Sequence, residues 1–567
     1  MEKKDIPAVP AEARPLEGSA LHDAILEKCR LEIRQATDFV ADKRQSFRDR
    51  LKLYNNQRKQ RDKVGITSIY TTMNTLLAIY YTDELSVGIG GRGFSGTDRA
   101  ENLENVAKAD QEEMDMATLN YLTQWDRFFF GVGIRHIHGW DSDKSCPLVE
   151  SKDPLTWLPD PMGGLKAESF RFMGFEEEMV EADMTAERGF FNLERIGEDQ
   201  KTDPETLNTK QARAEAQNLV ATENIRGGDE NDEVVPVINW FTIFGGKRYL
   251  VTITNSNSLV VRLEEIKPVF ESEKGNQLLT PWGITLHYYS PERSNPFGTS
   301  VPDLVEDKQR AKSVLANLEI AKEKADLYPM YVYNRDKILN RRDLDFAFNK
   351  FIGVRGDVNN TVLPLVKDSN RIGNTENVKQ VLDRESALAT GADANQSGVV
   401  NAQARTLGEV QQTQANANIR FLLGSRVNGW AEVAFWKLWY RCYVEFFDDA
   451  EEKVIEVSNP FGIQTLVLTP KQFLVRERVP KIVIRSKTET EQRMATERTA
   501  FMAVAPLVLQ DPSRPQVSRR FTERQLLKLH GLSREMVSVM SPPTVDEMAA
   551  QQENELLSRN ILSKLTD

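Results

Sequence analysis

Asp303-Leu-Val-Glu-Asp-Lys-Gln-Arg-Ala-Lys-Ser-Val-Leu-Ala-Asn-Leu-Glu-Ile-Ala-Lys-Glu-Lys-Ala-Asp326 follows Pro302 as an uninterrupted run of helix-forming residues. Leu304, Ala311, Val314, Leu315, Leu318, Ala321 and Ala325 recur at helical spacing and make a narrow apolar stripe, with charge on the remaining faces. A stripe so narrow suits a helix lying side by side with like helices, not one buried in a core. Ser300 or Asp303 can cap its start.

Upstream, apolar spacing predicts helices over Leu21–Gln60, Ile66–Leu85 and Asp98–Phe129, with the glycine-rich run Gly88–Gly96 between the last two. Phe130–Trp140 reads as glycines followed by a strand. Residues 176–233 read as mostly helical by propensity. Val234–Phe244 and Arg248–Val261 form a hairpin about Gly245-Gly246, and Trp282–Tyr289 adds a strand. Downstream, Tyr328–Leu365 is short-stranded and turn-rich. A short helix (Thr375–Ala389), a small-residue loop (Thr390–Gly398) and a long helix from Asn401 to Phe447 follow. Strands at Ile463–Leu468 and Lys481–Ile484 precede helices over Glu489–Leu509, Thr522–Leu529 and Val545–Leu565. The fold class expected is α+β, mainly helical.

The second half of the long helix is apolar nearly all round, with Trp430, Phe435, Trp436, Trp439 and Tyr443 as its expected buried core. Glu432, Lys437, Arg441 and Glu445 interrupt it, and each would cost about 2.5–3.5 kcal/mol at the centre of a bilayer. A large core or subunit neighbours, not a membrane, is therefore expected around it.

The chain has 567 residues, 40% apolar and 28% charged, so two to four structural units are expected and disorder throughout is excluded. Mean hydropathy is −0.47. Three cysteines exclude a disulfide scaffold and suit a reducing compartment, and the N-terminus lacks the apolar core of a signal peptide. The net charge of −11 argues against a conventional phosphate-neutralising nucleic-acid binder. It is unevenly spread: Glu176–Glu233 holds 17 acidic and 6 basic residues, whereas Asp42–Lys63 holds 9 basic and 3 acidic.

Signals for catalysis are weak. His136 and His138 share a strand, with Asp141 and Cys146 nearby, but a zinc site needs three or four converging ligands. The glycine-rich runs at 88–96 and 131–133 lack the lysine or third glycine of a phosphate-binding loop. Glu176-Glu-Glu178 could hold Mg²⁺ in a nuclease, although consecutive carboxylates rarely converge. The expectation is no enzyme activity, no cofactor and no metal.

Several segments in succession resemble the portal (head-to-tail connector) proteins of tailed bacteriophages. They are Trp125–Trp140 with its Gly131-Val-Gly133 turn, then Asp153-Pro154 and Leu158-Pro-Asp-Pro161. Next come Asn295-Pro-Phe-Gly-Thr-Ser-Val-Pro-Asp303 leading into the long-striped helix, and Tyr328–Tyr333. Last is the glutamine- and asparagine-rich helix from Gly408 to Asn418, then Lys481–Arg485. No single motif is specific, and the order of the set, over about residues 25–545, carries the likeness.

Residues 1–18, with three prolines and little apolar matter, read as a mobile tail (1–20). The resemblance implies a wing at 21–302, a first stem helix at 303–327, a clip at 328–372 and a second stem helix at 373–389. It further implies a tunnel loop at 390–400, a long helix completing the wing at 401–485, a crown at 486–545 and a helical tail at 546–567. It implies a homo-dodecameric ring at one capsid vertex of the virion, assembled in the host cytoplasm, through which double-stranded DNA is packaged and ejected. Partners implied are the terminase large subunit, which carries the motor, the major capsid and scaffolding proteins, and a tail adaptor. Tunnel-loop candidates are Asp393, Asn395, Gln396 and Ser397, and basic-ring candidates on the stem are Lys308, Arg310, Lys312, Lys322 and Lys324. An outward position for these cations, paired with Glu306, Glu319 and Glu323, stays open. Clip candidates for terminase or adaptor contact are Tyr331, Tyr333, Arg335, Arg341 and Arg342. A bore dominated by acidic and neutral side chains would let DNA slide. The competing readings are another intracellular helical scaffold and a metal-dependent DNA-processing enzyme.

Overall fold

The computed structural model describes residues 19–56, 64–82, 85–90, 98–180, 184–185, 189–196, 234–254, 259–266, 282–293, 295–327, 331–333, 336, 355, 362–364, 375–391, 407–459, 462–475, 479–486 and 522. Its helices are α1 (Ser19–Tyr54), α2 (Ser68–Thr82), α3 (Asp98–Glu113), α4 (Met116–Phe129), α5 (Val301–Leu327), α6 (Thr375–Thr390), α7 (Leu407–Phe446) and α8 (Pro470–Phe473). The strands are β1 (Leu85–Gly90), β2 (Val132–Asp141), β3 (Cys146–Lys152), β4 (Trp157–Pro159), β5 (Met173–Val180), β6 (Val234–Phe244), β7 (Lys247–Thr254) and β8 (Val260–Ile266). They continue with β9 (Ile284–Tyr288), β10 (Ser290–Glu292), β11 (Asn295–Thr299), β12 (Tyr331–Tyr333), β13 (Val362–Pro364), β14 (Lys453–Asn459), β15 (Gly462–Leu468) and β16 (Lys481–Ser486). The class is α+β.

Two compact units divide the chain. The first comprises Met1–Thr82, Asp110–Phe447 and Val475–Pro480. It holds an antiparallel sheet of order β4-β5-β6-β7-β8 and a smaller one of order β3-β2-β9. Ile25, Cys29, Ile33, Ala36, Val40, Phe47 and Leu51 line one buried face of α1, and they share a core with Trp157, Phe175, Trp240 and Val251 from the larger sheet. The expected hairpin is β6–β7, with Phe244 opposite Lys247 across Gly245-Gly246. Both glycines have positive φ (56° and 78°), the geometry of a tight hairpin turn.

The glycines after α4 have a steric cause. Gly131 sits at φ +93°, and a side chain there would lie 2.5 Å from the Phe297 carbonyl oxygen. One on Gly133 would lie 2.3 Å from the carbonyl of Thr123, so the strand can leave α4 only over glycine.

The second unit comprises Asp83–Ala109, Asp448–Leu474 and Lys481–Asp567. Its described part contains the antiparallel pair β1–β16, the hairpin β14–β15, α8 and the first turns of α3. Leu103, Val106, Ala107, Ile455, Leu468, Phe473 and Ile482 are buried in it.

Several expectations are corrected. The predicted Asp98–Phe129 helix is two helices, because Asp115 adopts a left-handed conformation (φ 47°) and its carboxylate caps α4 through the Thr118 N–H at 3.4 Å. Leu85–Gly90 is a strand, and the helix before it ends at Thr82. Glu176-Glu-Glu178 belongs to β5, not to a helix. Residues 201–233, the C-terminal helices beyond Thr522, and the tails at 1–18 and 546–567 lie outside the described residues.

Candidate functional site: the paired helices α5 and α6

The start of α5 is set by a reciprocal cap. Ser300 Oγ accepts the Asp303 N–H at 3.3 Å, while Asp303 Oδ2 accepts the Ser300 N–H at 2.8 Å and its hydroxyl at 2.7 Å. Arg50, at the end of α1, clamps the same turn, donating to Asp303 Oδ1 at 2.6 Å and to Glu306 Oε2 at 2.8 Å. Burial works against the Asp303 carboxylate, but the Ser300 hydrogen bond and the Arg50 guanidinium outweigh it and hold its pKa below the usual range.

Three faces of α5 then differ. Gln309, Ser313 and Asn317 accept the backbone N–H groups of Ile69, Ile66 and Val64, which fastens one face to the segment leading into α2. A second face meets α6: Lys312 pairs with Asp383 and donates to Ser68 Oγ at 2.9 Å, and Lys379 of α6 pairs with Glu319. The third face has no cover. Val314 and Leu318 are 59% and 54% exposed there, in line with exposed Ala311 and Ala321. On α6, Val378, Val381 and Leu388 are likewise exposed, on the side away from Lys379 and Asp383.

The stem cations separate by environment. Lys312 is buried against α6, where this chain's own Asp383 carboxylate and Ser68 hydroxyl hold it. Arg310 pairs with Glu306 of its own helix at 2.7 Å. Glu319 takes Lys379 from α6, not a lysine of its own helix. Lys308 donates to the Leu304 carbonyl at 2.9 Å. Lys322 is half-buried and Lys324 exposed. Tyr331 and Tyr333 lie on β12, opposite Pro364 and Val362 of β13. Arg335, Arg341, Arg342, Asp393, Asn395, Gln396 and Ser397 lie outside the described residues.

Of the expected long-helix core, Phe435, Trp436, Trp439 and Tyr443 are buried on α7. Trp430 is not. It is 67% exposed, because it shares an outward face two turns from exposed Leu423, a periodicity masked by the aromatic residues around it. Asp110 receives the Trp439 indole N–H at 2.8 Å and the Tyr443 hydroxyl at 2.6 Å. Arg135 of β2 meets Glu432 of α7 at 2.9 Å in full burial. His287 of β9 lies beside this pair, 3.0 Å from Asn428 Oδ1 through Nδ1. Burial, then the Arg135 charge, push the His287 pKa well below its usual value.

His136 and His138 converge on something other than a metal. Both Nδ1 atoms face Glu150 Oε1, at 3.1 and 3.6 Å, and Lys152 Nζ reaches the same oxygen at 2.6 Å. Burial opposes the Glu150 carboxylate, but the His136 hydrogen bond and Lys152 outweigh it and hold its pKa at about 2. Asp141 instead accepts the N–H groups of Asp143 and Lys144 in a turn, and Cys146 is buried. His136, His138, Glu150 and Lys152 border a cavity of about 510 Å³ between the larger sheet, β2 and the end of α7. The strand alternation of β5 sets Glu177 on the face opposite Glu176 and Glu178: Glu176 pairs with Arg44, and Glu177 with Lys152. Among the described residues, no group of three or more His, Cys, Asp or Glu is placed to hold a metal, and no helix is long and apolar enough to cross a membrane.

Sequence reasoning missed Arg50, Lys379 and Asp383. Each is an ordinary charged residue on a helix, and only its partner about 60 to 250 residues away distinguishes it.

No family model and no curated protein matches the sequence. Among solved structures, the chain is similar to one described as the neck of an empty GTA particle computed with C6 symmetry. Identity is 10% and the TM-score 0.37, over 82% of this chain and 90% of the other.

Proposed function

We propose that this chain is a portal subunit, one copy of a head-to-tail connector ring. The observation that carries the reading is the α5–α6 pair. Each helix is fastened to the other by ion pairs and turns an apolar line to solvent on its far side, as subunits repeated around an axis require. Added support comes from the order of segments that resemble the family, with the striped helix in the stem position. On this reading the chain is a non-enzymatic component of the virion. The regions assigned above are its wing, stem, clip and crown, and the ring conducts double-stranded DNA during packaging and ejection. The clip engages terminase and then the tail adaptor, and the capsid and scaffolding proteins surround the wing.

Mass photometry with negative-stain imaging tests this. Twelve copies of 64.5 kDa give a ring of about 0.77 MDa with a central hole. A monomer at micromolar concentration, or an assembly without a hole, would favour the scaffold reading. Metal-dependent cleavage of plasmid DNA, lost on mutating Glu176–Glu178, would favour the enzyme reading.

A further inference from the structure

The uncovered lines on α5 and α6 are two different seams. On α5, Ala311, Val314, Leu318 and Ala321 repeat with three- and four-residue steps, the a and d positions of a heptad, and this pattern calls for a helical partner. Exposed Asp307 continues that line one turn before Ala311, Lys308 and Lys322 stand at its sides, and Arg310 is paired with Glu306. On α6, Val378, Val381, Glu385 and Leu388 repeat in the same way, with one exposed carboxylate among apolar residues. The α5 seam is small, with Asp307 at its start and Lys308 and Lys322 at its sides. The α6 seam is bulkier and carries an anion. The two lines are therefore unlike, and Glu385 on one finds an opposite charge in Lys308 beside the other.

We infer that the α6 seam of one copy packs on the α5 seam of the next, locked by an ion pair between Glu385 and Lys308. This inference rests on the ring reading and specifies its interface. Among the described residues, Glu385 has no ion-pair partner in its own chain, and Lys308 reaches only the Leu304 carbonyl. Height selects the pair. Lys312 with Asp383 and Glu319 with Lys379 show that the two helices run antiparallel at those levels. Rotation about a ring axis leaves height unchanged, so Glu385, two residues beyond Asp383, stands level with the turn of α5 just before Lys312. A lysine stem covers the remaining few ångströms. Val381 stands level with the stretch between Val314 and Leu318. Because two unlike surfaces meet, the contact is head-to-tail, which builds a ring or an open filament but not a two-fold dimer; closure follows from the ring reading.

The test uses the full chain. Lys308→Glu and Glu385→Lys each set like charges together at every interface. Each should raise the concentration at which rings half-dissociate by about tenfold or more, and the double exchange should restore it. A second measurement does not depend on the charges. Val314→Cys with Val381→Cys should give oxidant-dependent ladders of linked copies on a denaturing gel, and neither single cysteine should exceed dimers. The native cysteines are all buried and give little background. If the unaltered chain forms rings that both reversals leave unchanged and the cysteine pair does not link, the interface is wrong and the portal reading stands. If the unaltered chain forms no ring, the portal reading fails and the interface with it. Should a reversal prevent folding, as shown by circular dichroism, the cysteine pair decides.

Discussion

Replacing Arg50 with methionine should loosen the first turns of α5 without unfolding the chain. The guanidinium donates to two carboxylates at 2.6 and 2.8 Å from a side chain only 9% exposed. Hydrogen bonds to charged groups contribute about 1.5–3 kcal/mol each, so two would give about 3–6 kcal/mol. Asp303 and Glu306 keep partial access to water, Asp303 keeps its Ser300 partners, and methionine keeps the apolar stem buried. A loss of about 2–4 kcal/mol is the discounted expectation. A chain of two units does not unfold in one step, so a global midpoint is a poor readout. Hydrogen exchange read on peptides covering 301–312 is the better assay. At 1.4 kcal/mol per factor of ten, amide exchange there should accelerate about 30-fold to about 700-fold, with little change in β6 and β7. A change below about threefold in that peptide would mean that Arg50 does not hold the helix, and the account of how α5 is aimed would be wrong.

Other consequences follow from the buried polar contacts. Glu432→Gln leaves Arg135 buried without an opposing charge, and a loss of about 3–5 kcal/mol in protection of β2 and β9 is expected by hydrogen exchange. Gly424→Ala would bring a methyl carbon to 2.0 Å from the Tyr80 hydroxyl, so it should speed hydrogen exchange in α2 and in α7 around residue 424, and adding Tyr80→Phe should recover part of the loss. Acid should act in two windows. His287 is kept neutral by the fold, so its contribution is complete above pH 6.5 and declines as pH falls below that, where the unfolded chain gains a proton first. Asp303 has a depressed pKa, so its contribution is present above about pH 4 and is lost as pH falls through its folded value. Exchange measured in α7 and β9 should respond in the first window and exchange in α5 in the second; His287→Gln should flatten only the first.

What could be read in advance depended on whether the deciding information was local. The stripe from Ala311 to Ala321 identifies α5 as a helix, since periodicity is carried by neighbours in sequence. The cap was left open between Ser300 and Asp303 because both take part in it. Leu85–Gly90 was read as the end of a helix and a glycine-rich break. Its strand state depends on β16, a partner near the other end of the chain. The left-handed turn at Asp115 interrupts an otherwise continuous helical pattern, and no glycine or proline announces it. At Trp430 composition and phase disagree: a tryptophan among aromatics suggests core, whereas its spacing from Leu423 places both on the outward face. At the stem, the cations were visible in the sequence, but which were already occupied was not. The Lys312–Asp383 pair depends on two helices meeting across a long excursion of the chain.

The pairing of β1 with β16 has a consequence for how the protein is made. Gly90 and Lys481 are partners about 390 residues apart. At roughly 5–20 residues per second, β1 leaves the ribosome about 20 to 80 seconds before the strand that completes it. Through that interval Leu-Ser-Val-Gly-Ile-Gly is a bare strand edge, the kind of segment that seeks other chains. Its two glycines reduce that hazard by weakening the strand on its own, so that it becomes ordered only when its partner arrives. Translation rate, and the chaperones that shelter a waiting strand, should therefore govern the yield of this protein more than the stability of its finished fold does.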